Sequence, residues 1–419
     1  MRAMGKMTSL VRIFWLDLKL AFRNIVRQKR RSVIAIGAVA FGITALILAN
    51  GFIEWIFLDF RESTIKSHLG HLQIVRPGYH EAGKADPYAF LLPDIIPELK
   101  TSYEPQPIKT VAPRISFSGL ISHDESTISF IGDGVSPQEQ EAFGNALQIS
   151  AGRNLSADDP RSIIVGEGLA RNLGVNVGDQ VVLLATTASR GTNAVEVTIR
   201  GLFSTVTKAY DDAAIRMPIE TARHLLRTKG SHVWVILLND TAQTDSMLAK
   251  LRAKLEKNNL EIVPWHALAD FYNKTVTLFT KQVYGIRLII AVIILLSITN
   301  TMTMSVMERI GEIGTAMALG VKRMGIMRLF VSEGVLIGCL GGMIGLLLGV
   351  LFAHIISSIG VPMPPPPGMA RGYTGQILVT WNIALESLAL AVGTTLVASI
   401  YPAWRASRMQ IVDALRHNR

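Results

Sequence analysis

The 419-residue sequence contains a single cysteine, Cys339, and so cannot form an intrachain disulfide bond. It contains no G-x-x-x-x-G-K-[ST] motif, which excludes a nucleotide site of the P-loop type within these residues. Charged residues make up only 18% of the chain, whereas 49% of its residues are hydrophobic. Together with a mean hydropathy of +0.34, this composition exceeds that of soluble globular proteins and predicts a protein embedded in a membrane.

Charge is absent from four long segments of the chain. Ser32–Ile53, Leu288–Met307 and Gly334–Ser358 have no charged residue over 22, 20 and 25 residues, and the weaker Ser387–Trp404 adds 18. A helix of about 20 apolar residues crosses the hydrocarbon core of a bilayer, so each segment is predicted to span the membrane. A secretory signal peptide is the alternative for the first segment, but its apolar run is too long and lacks an A-x-A-like cleavage site.

Basic residues flank these segments on one side only. Residues 1–31 hold nine Lys and Arg, and residues 308–328 and 405–419 hold four each, whereas the 359–380 loop holds one. Residues 58–281 hold 23 basic and 25 acidic residues, so the formal charge of +10 comes from the membrane flanks and does not indicate a nucleic-acid partner. Because Lys and Arg near span ends stay in the cytoplasm, we expect both termini to be cytoplasmic.

The predicted fold class is a membrane α-helical protein with four transmembrane helices and a large α+β extracytoplasmic domain inserted between the first and second helix. The predicted segments are a cytoplasmic amphipathic N-terminal helix (1–31), the first span (32–57), the extracytoplasmic domain (58–281), the second span (282–307), a cytoplasmic coupling helix (308–327), the third span (328–358), a proline-rich outer loop (359–380), the fourth span (381–404) and a cytoplasmic tail (405–419). The N-terminal helix is predicted from Leu10, Phe14, Leu18, Phe22 and Ile25, which recur every three or four residues. It either lies on the inner membrane surface or packs against the spans.

Strand-like and helical runs alternate in the inserted domain. The predicted strands are Leu69–Val75, Ile108–Ser122, Ser126–Val135, Gln180–Thr186, Ala194–Phe203 and His232–Leu238, and the predicted helices are Glu167–Leu173, Pro218–Leu226 and Thr241–Leu255. A break near 82–107, which holds five prolines, predicts two lobes. Residues Trp265–Lys281 are expected to continue as a helix into the second span.

Catalytic and metal chemistry find no support in the residues. His68, His71 and His80 form the only histidine cluster, but no paired cysteine or nearby carboxylate supplies the remaining ligands of a metal site. No G-x-S-x-G motif is present, and the paired acids Asp158–Asp159 and Asp211–Asp212 are expected to be solvated. The sequence therefore predicts no catalytic residue, no metal site and no cofactor in this chain.

Each of three features in or near the predicted spans allows two interpretations. The glycines of the third span form two series spaced by four residues, which make either a permease dimer seam or packing within one subunit. The first series is Gly334, Gly338 and Gly342, and the second is Gly341, Gly345 and Gly349. The ionisable Glu54, Arg287 and Glu333 are functional candidates at membrane depth, or simply reach the interface. The outer loop contains Pro364, Pro365, Pro366 and Pro367, which form either a rigid lip facing substrate or a partner, or a plain spacer.

Two motifs beside the spans carry a family resemblance. Residues 308–320 read Glu-Arg-Ile-Gly-Glu-Ile-Gly-Thr-Ala-Met-Ala-Leu-Gly, and the tail contains Pro-Ala-Trp-Arg-Ala-Ser-Arg from 402 to 408 and Val-Asp-Ala-Leu-Arg from 412 to 416. This pair resembles the type VII, or mechanotransmission, ABC transporter permeases, the family of the macrolide exporter and the cell-division permease. Residues 166–179 and 197–203 resemble the periplasmic core of that family, and residues 69–79 resemble its lipoprotein-releasing (LolC/LolE) branch. Gly311, Met317 and Ile411 depart from the usual family residues.

The resemblance implies partners for the chain. The 308–320 helix would dock into the groove of a separate ABC ATPase subunit dimer, which would bind ATP and Mg; the alternative is an ordinary charged loop. The residues implied in this coupling are Glu308, Arg309, Glu312, Ile313, Ala318, Leu319 and Gly320. We expect Ile310, Ile313 and Met317 to be available for docking together with the charged residues. A second permease copy or paralogue, membrane lipids and a periplasmic carrier or adaptor are the other implied partners.

The resemblance also implies the kind of work performed. The chain would be a multi-pass permease subunit of the inner membrane that passes motion from the ATPase to its periplasmic domain and so extracts or exports lipoprotein, lipid or other hydrophobic cargo. Few polar residues occur in the four spans, so an aqueous pore through the subunit is not expected. The alternatives are a tripartite efflux permease working with a periplasmic adaptor and a non-transport regulator of cell-wall hydrolases.

Overall fold

The computed structural model describes residues 2–83, 86–93, 108–143, 147–156, 158–205, 207–255, 258–364 and 372–410. The chain divides into two compact units. We call Met1–Ile56, Thr277–Val361 and Thr374–Arg419 the helical unit, and Phe57–Val276 with Pro362–Tyr373 the inserted domain.

The structure describes the following helices, of which the third to the ninth belong to the inserted domain. They are α1 (Arg2–Arg27), α2 (Lys29–Thr64), α3 (Tyr79–Ala82), α4 (Pro137–Phe143), α5 (Glu167–Leu173), α6 (Lys208–Asp211), α7 (Ile219–Leu226), α8 (Thr244–Leu255), α9 (Trp265–Leu268), α10 (Asp270–Glu308), α11 (Ile310–Ala318), α12 (Arg323–Ile359) and α13 (Trp381–Ser407). A π-helical turn, Ile65–Leu69, extends α2, and short 3₁₀ turns lie at Pro87–Phe90 and Thr241–Gln243.

Four helices in the described part of the chain are long and apolar enough to cross a membrane. They are α2 with its π turn, α10, α12 and α13. Even the 27-residue α13 would reach about 40 Å at 1.5 Å per residue, more than a hydrocarbon core of about 30 Å. The four predicted apolar helices are therefore present, and α10 is one continuous helix from the end of the inserted domain onward.

The strands belong to the inserted domain and to the loop before α13. They are β1 (Leu72–Val75), β2 (Ile108–His123), β3 (Ser126–Val135), β4 (Gln148–Gly152), β5 (Ser162–Gly166), β6 (Gln180–Thr186), β7 (Thr192–Ser204), β8 (Ala214–Pro218), β9 (Val233–Leu238), β10 (Glu261–Pro264), β11 (Val361–Met363) and β12 (Tyr373–Gly375).

One ten-stranded sheet organises the inserted domain. Its order is β10-β1-β9-β2-β3-β8-β5-β7-β4, with β6 paired to both β2 and β7. The pairs β3–β8 and β5–β7 are parallel. Both β5 and β9 are buried along their whole length, which accounts for their continuous apolar sequence. Helices α5 and α7 cover the sheet with Leu169, Leu173 and Leu225, which pack in one core with Phe117 and Phe130.

The two long helices that border the inserted domain connect to neighbouring strands. β1 follows the π turn of α2, and β10 leads through α9 into α10. β1 and β10 are antiparallel partners, with Leu72 opposite Pro264 and Ile74 opposite Ile262. Since β10 is the last strand of the sheet order, the chain enters and leaves the domain at one edge of the sheet.

The division of the inserted domain into two lobes stays a prediction. All ten strands join in one sheet, and residues 57–276 fall in one compact unit. The six predicted strands are present, whereas β4, β5, β8 and β10, each four or five residues long, were not predicted. Of the proline-rich stretch 82–107, residues 84–85 and 94–107 lie outside the described residues.

Candidate functional site

The segment expected to couple to a partner forms the end of α10, a break at Arg309 and the short helix α11. Ile310, Ile313 and Met317 are only 8%, 4% and 9% exposed. Ile313 and Met317 belong to the apolar core that α2, α10, α12 and α13 share. The structure thus corrects the expectation that these three side chains are available for docking. A nine-residue amphipathic helix has one apolar face, and here that face packs against the chain's own helices.

Arg309 is held by two carboxylates. Its Nη1 donates to Oε1 of Glu333 at 2.8 Å, and its Nε donates to Oε2 of Glu312 at 3.1 Å. The guanidinium carbon also lies 5.3 Å from the ring centroid of Phe330. Burial lowers the pKa of Arg309 and the two carboxylates raise it, with a net rise. Arg309 therefore stays charged and fixes the break between α10 and α11 to α12.

Helix α1 and the start of α2 contribute three further polar contacts. Asn24 Nδ2 donates to Glu333 Oε1 at 2.5 Å and Arg27 pairs with Glu312, both from α1, and Arg31 in the first turn of α2 pairs with Glu308. Burial raises the pKa of Glu312, but hydrogen bonds from Arg27 and Arg309 lower that pKa by a larger amount. The net shift is downward, so the ionised carboxylate is favoured. We call the following seven residues the charge cluster: Asn24, Arg27, Arg31, Glu308, Arg309, Glu312 and Glu333.

Beyond α11 the surface changes character. Leu319, Val321 and Met324 are 82%, 45% and 63% exposed, and we call them the apolar tip. Gly320 permits the turn between them, since its φ of +95° lies in the left-handed region that favours glycine. Three large apolar side chains exposed within six residues form a candidate contact surface for another protein or for lipid.

The structure sorts the predicted coupling residues into two groups. Glu308, Arg309 and Glu312 lie in the charge cluster and Ile313 lies in the core, so these four position the segment. Ala318, Leu319 and Gly320 lie at its exposed end. No local sequence pattern indicates the pairing of Asn24, Arg27 and Arg31, because their partners are 277 to 309 residues away along the chain.

The N-terminal helix differs from its predicted pattern. Ala21 and Ile25 are buried, whereas Phe22 is 51% exposed, so the predicted apolar stripe is not one buried face. Asp17 of the same helix pairs with Arg328 of α12 at 3.5 Å. The side chains of Leu10 and Phe14 lie outside the described residues.

The glycines of α12 lie against two different helices of the same chain. A Cβ at Gly334, Gly338 or Gly342 would meet Ser399, Thr395 or Leu388 of α13. A Cβ at Gly345 or Gly349 would meet Ala40 and Ile43, or Ile47, of α2. Of the two interpretations, the structure thus places these glycines in packing within one chain, and their faces are not free to form a dimer seam.

The remaining candidates are separate from the charge cluster. Glu54 is exposed, and Arg287 pairs with Glu386 of α13 at 2.6 Å. Pro364 is exposed, and Pro365, Pro366 and Pro367 lie outside the described residues.

In the predicted histidine cluster, His71 has a protein partner at each ring nitrogen. Buried His71 accepts a hydrogen bond from the Leu238 amide at Nδ1 (3.0 Å), and its Nε2 lies 3.0 Å from Thr241 Oγ1. No group of three His, Cys, Asp or Glu suited to a metal ion occurs among the residues whose placement is described.

Two family models match the chain. The MacB-like periplasmic core domain matches residues 32–254, more than half of the chain, and the FtsX-like permease C-terminal domain matches residues 284–411. The first match covers α2 and most of the inserted domain, and the second covers the charge-cluster residues from Glu308 onward, the apolar tip, α12 and α13.

Individual relatives share low identity over long stretches. The lipoprotein-releasing system transmembrane protein LolC of Neisseria meningitidis serogroup B is 24% identical over 432 residues, 97% of this chain and 100% of LolC. The uncharacterized ABC transporter permease MJ1507 of Methanocaldococcus jannaschii is 24% identical over 281 residues, 65% of this chain and 66% of MJ1507. Among solved structures, the periplasmic region of MacB from Actinobacillus actinomycetemcomitans matches with a TM-score of 0.36 and 16% identity, over 52% of this chain and 98% of that one.

Proposed function

The chain belongs to the family of ABC transporter permeases that join a MacB-like periplasmic core domain to an FtsX-like permease domain, and we propose that it transmits force. ATP hydrolysis by a separate ATPase subunit moves α11, the spans pass that motion on, and the inserted domain performs work on a hydrophobic cargo outside the inner membrane. The termini and α11 lie in the cytoplasm, as the distribution of Lys and Arg along the chain predicts.

The observation that carries this proposal is the contrast between α11 and the apolar tip. The apolar face of α11 is buried and its charges are paired, so a load on this segment reaches α1, α10 and α12 directly. The apolar tip projects from that anchored base, with Leu319 82% exposed. An exposed docking point on a rigid support is what a mechanical coupling requires. The tip therefore inserts into the ATPase, while the charge cluster keeps α11 from moving relative to the helices that it contacts.

Lipoprotein or another lipid-anchored molecule is the proposed cargo. LolC, whose name assigns it to a lipoprotein-releasing system, aligns with 97% of this chain, including the inserted domain. A permease dimer, of identical or paralogous copies, and a periplasmic carrier that receives the cargo complete the proposed assembly.

A pull-down experiment compares the recovery of an ATPase when either of two exposed leucines, which lie in different units, is substituted. The tagged chain is expressed in its native host, extracted in mild detergent and analysed for co-purifying proteins and lipids. We expect an ABC ATPase to be recovered with the native chain and to be lost with Leu319→Glu, since a carboxylate would have to be buried in the ATPase groove. The matched control is Leu120→Glu in the inserted domain, where Leu120 is 46% exposed, and it should retain the ATPase.

Each outcome of this experiment has a meaning. Recovery of the native chain without any ATPase, or equal recovery with Leu319→Glu, contradicts the proposal. An ATPase recovered together with a periplasmic adaptor and an outer-membrane channel replaces lipid cargo with tripartite efflux. Recovery with a cell-wall hydrolase replaces transport with regulation of that hydrolase.

A further inference from the structure

The end of α2 has an unusual construction inside the inserted domain. Its last turn, Ile65–Leu69, is π-helical, and Gly70 closes it with an amide that donates to the Ile65 carbonyl at 2.8 Å. Gly70 has a φ of +70°, and a Cβ there would collide with Val235 of β9. Ile65 and Ser67 are buried. The final carbonyls of a helix lack partners within the helix, and inside a protein they need donors from elsewhere.

Two buried arginines supply these donors. Arg216 Nη2 donates to the carbonyl of Ser67, and Arg114 Nη1 donates to the carbonyl of His68, both at 2.5 Å. Arg216 and Arg114 are only 4% and 2% exposed. Arginine is suited to this position because its positive charge also favours the negative end of the helix dipole.

Two buried carboxylates balance the two arginines. Glu139 of α4 accepts from Arg114 Nε at 2.9 Å. Asp133 of β3 accepts from Ser116 Oγ and from the Tyr210 hydroxyl, each at 2.7 Å. Burial raises the pKa of Asp133, but Arg114, His68 and Arg216 lower that pKa by a larger amount. The resulting pKa is about 2, so the carboxylate is ionised. Breaking a buried, balanced set of this kind leaves an uncompensated charge.

The arginines come from the middle of the sheet. Arg114 lies on β2 and Arg216 on β8, and β3, with Asp133, lies between these strands. Asp133 is the register partner of both Ser116 on β2 and Arg216 on β8. The chain itself continues from Gly70 into β1, which lies near the sheet edge. The arginines therefore join the end of α2 to the central strands β2 and β8, which come after β1 in the sequence.

We infer that Arg114 and Arg216 are positioning residues that clamp the end of α2 to the centre of the sheet, so that α2 from Phe57 onward and the sheet move as one rigid body. With this clamp, a tilt of α2 turns the whole sheet. Without it, the same tilt is absorbed at the π turn and Gly70, where backbone bonding already departs from the regular α-helix. The purpose of the clamp rests on the proposed function, but its rigidity does not.

Distances between spin labels test the clamp on the full chain in lipid nanodiscs. Cys339→Ala removes the only native cysteine, and Leu58→Cys on α2 with Glu125→Cys at the β2–β3 hairpin supplies the labelled pair. A second pair, Glu125→Cys with Lys250→Cys, places neither label on α2. We expect both pairs to give narrow distance distributions in the native background.

The clamp variant is Arg216→Met, and the matched control is Arg200→Met. Arg200 pairs with Asp159 at 3.1 Å, so the control loses a guanidinium–carboxylate contact outside the clamp. We expect Arg216→Met to broaden the 58–125 distribution by about twofold or more, because the helix end gains local freedom while the sheet stays folded. The 125–250 distribution should not change, and Arg200→Met should leave both pairs narrow. Arg114→Met is the second clamp variant and should act in the same way.

The outcomes separate the clamp from the proposed function. A 58–125 distribution that stays narrow in both clamp variants overturns the inference. Broadening of both label pairs also overturns it, because the arginines then support the fold as a whole and not the junction. No ATPase is needed for these measurements, so failure to find an ATPase partner would overturn the proposed function and leave the clamp standing.

Discussion

Glu333 is the one acidic residue of α12, and donors from two other parts of the chain meet at one of its oxygens. Asn24 and Arg309 both donate to Oε1, and Glu333 is only 4% exposed. A buried pair of this kind is costly to assemble, and it contributes mainly by fixing one arrangement of the groups that surround it. Here that arrangement is the break between α10 and α11, which the proposed coupling needs to be rigid.

We expect Arg309→Met to destabilise the helical unit by about 3–5 kcal/mol, because it leaves the Glu333 carboxylate buried with only the Asn24 amide as partner. The measurement is thermal unfolding of the purified chain in detergent. Arg328→Met is the control, since Arg328 is 47% exposed and pairs with Asp17 at 3.5 Å, and it should cost about 1 kcal/mol or less.

The double variant Arg309→Met with Glu333→Met sharpens this prediction. It removes the stranded charge, so it should be more stable than Arg309→Met alone. A double variant that is less stable than both single variants would contradict this explanation, in which Arg309→Met destabilises the protein by leaving the Glu333 carboxylate buried without its ion-pair partner.

Among the elements, α12 shows how glycine spacing sets helix packing. Its glycines form two ridges, one facing α13 and one facing α2, and each lets a neighbouring backbone or side chain approach where a Cβ would collide. The four-residue spacing was visible in the sequence, but the partner was not, because the same ridge fits a helix of the same chain or of a second copy. The structure decides this by placing Thr395, Ala40 and Ile47 in the space above the glycines.

Gly338→Leu is expected to destabilise the helical unit by about 1–3 kcal/mol or more, because the new side chain must displace Thr395 from a packed interface. Gly393→Leu on α13 is the matched control, since a Cβ there has no heavy atom within 4 Å. Detergent-solubilised variants are compared by their unfolding temperatures. Equal unfolding temperatures would show that the α12 glycines do not form a close helix contact.

For the whole molecule, the sequence predicted the layout well and the contacts poorly. Uncharged segments identified the four long helices, and strand patterns identified six of the ten strands in the large sheet. The missed β8 is only five residues long and contains Arg216, whose buried role depends on a carbonyl 149 residues earlier. Likewise, the coupling motif identified where α11 lies but not that Ile313 and Met317 are buried, since their burial depends on helices far along the chain.

The molecule combines three devices suited to carrying force. In the function proposed above, the apolar tip binds the ATPase, the charge cluster anchors α11 to the helices around it, and the arginine clamp joins the end of α2 to the middle of the sheet. The charge cluster and the clamp are made from residues distant in sequence, so neither could be built by a single local motif.

Hydrogen exchange of the chain bound to its ATPase tests force transmission most directly. Amide exchange is followed in residues 65–75, the π turn and β1, with and without hydrolysable ATP, in complexes reconstituted in nanodiscs. The account predicts that ATP changes the exchange rates of these amides although they lie outside the ATPase. Unchanged exchange in residues 65–75 while the bound ATPase turns over would contradict it.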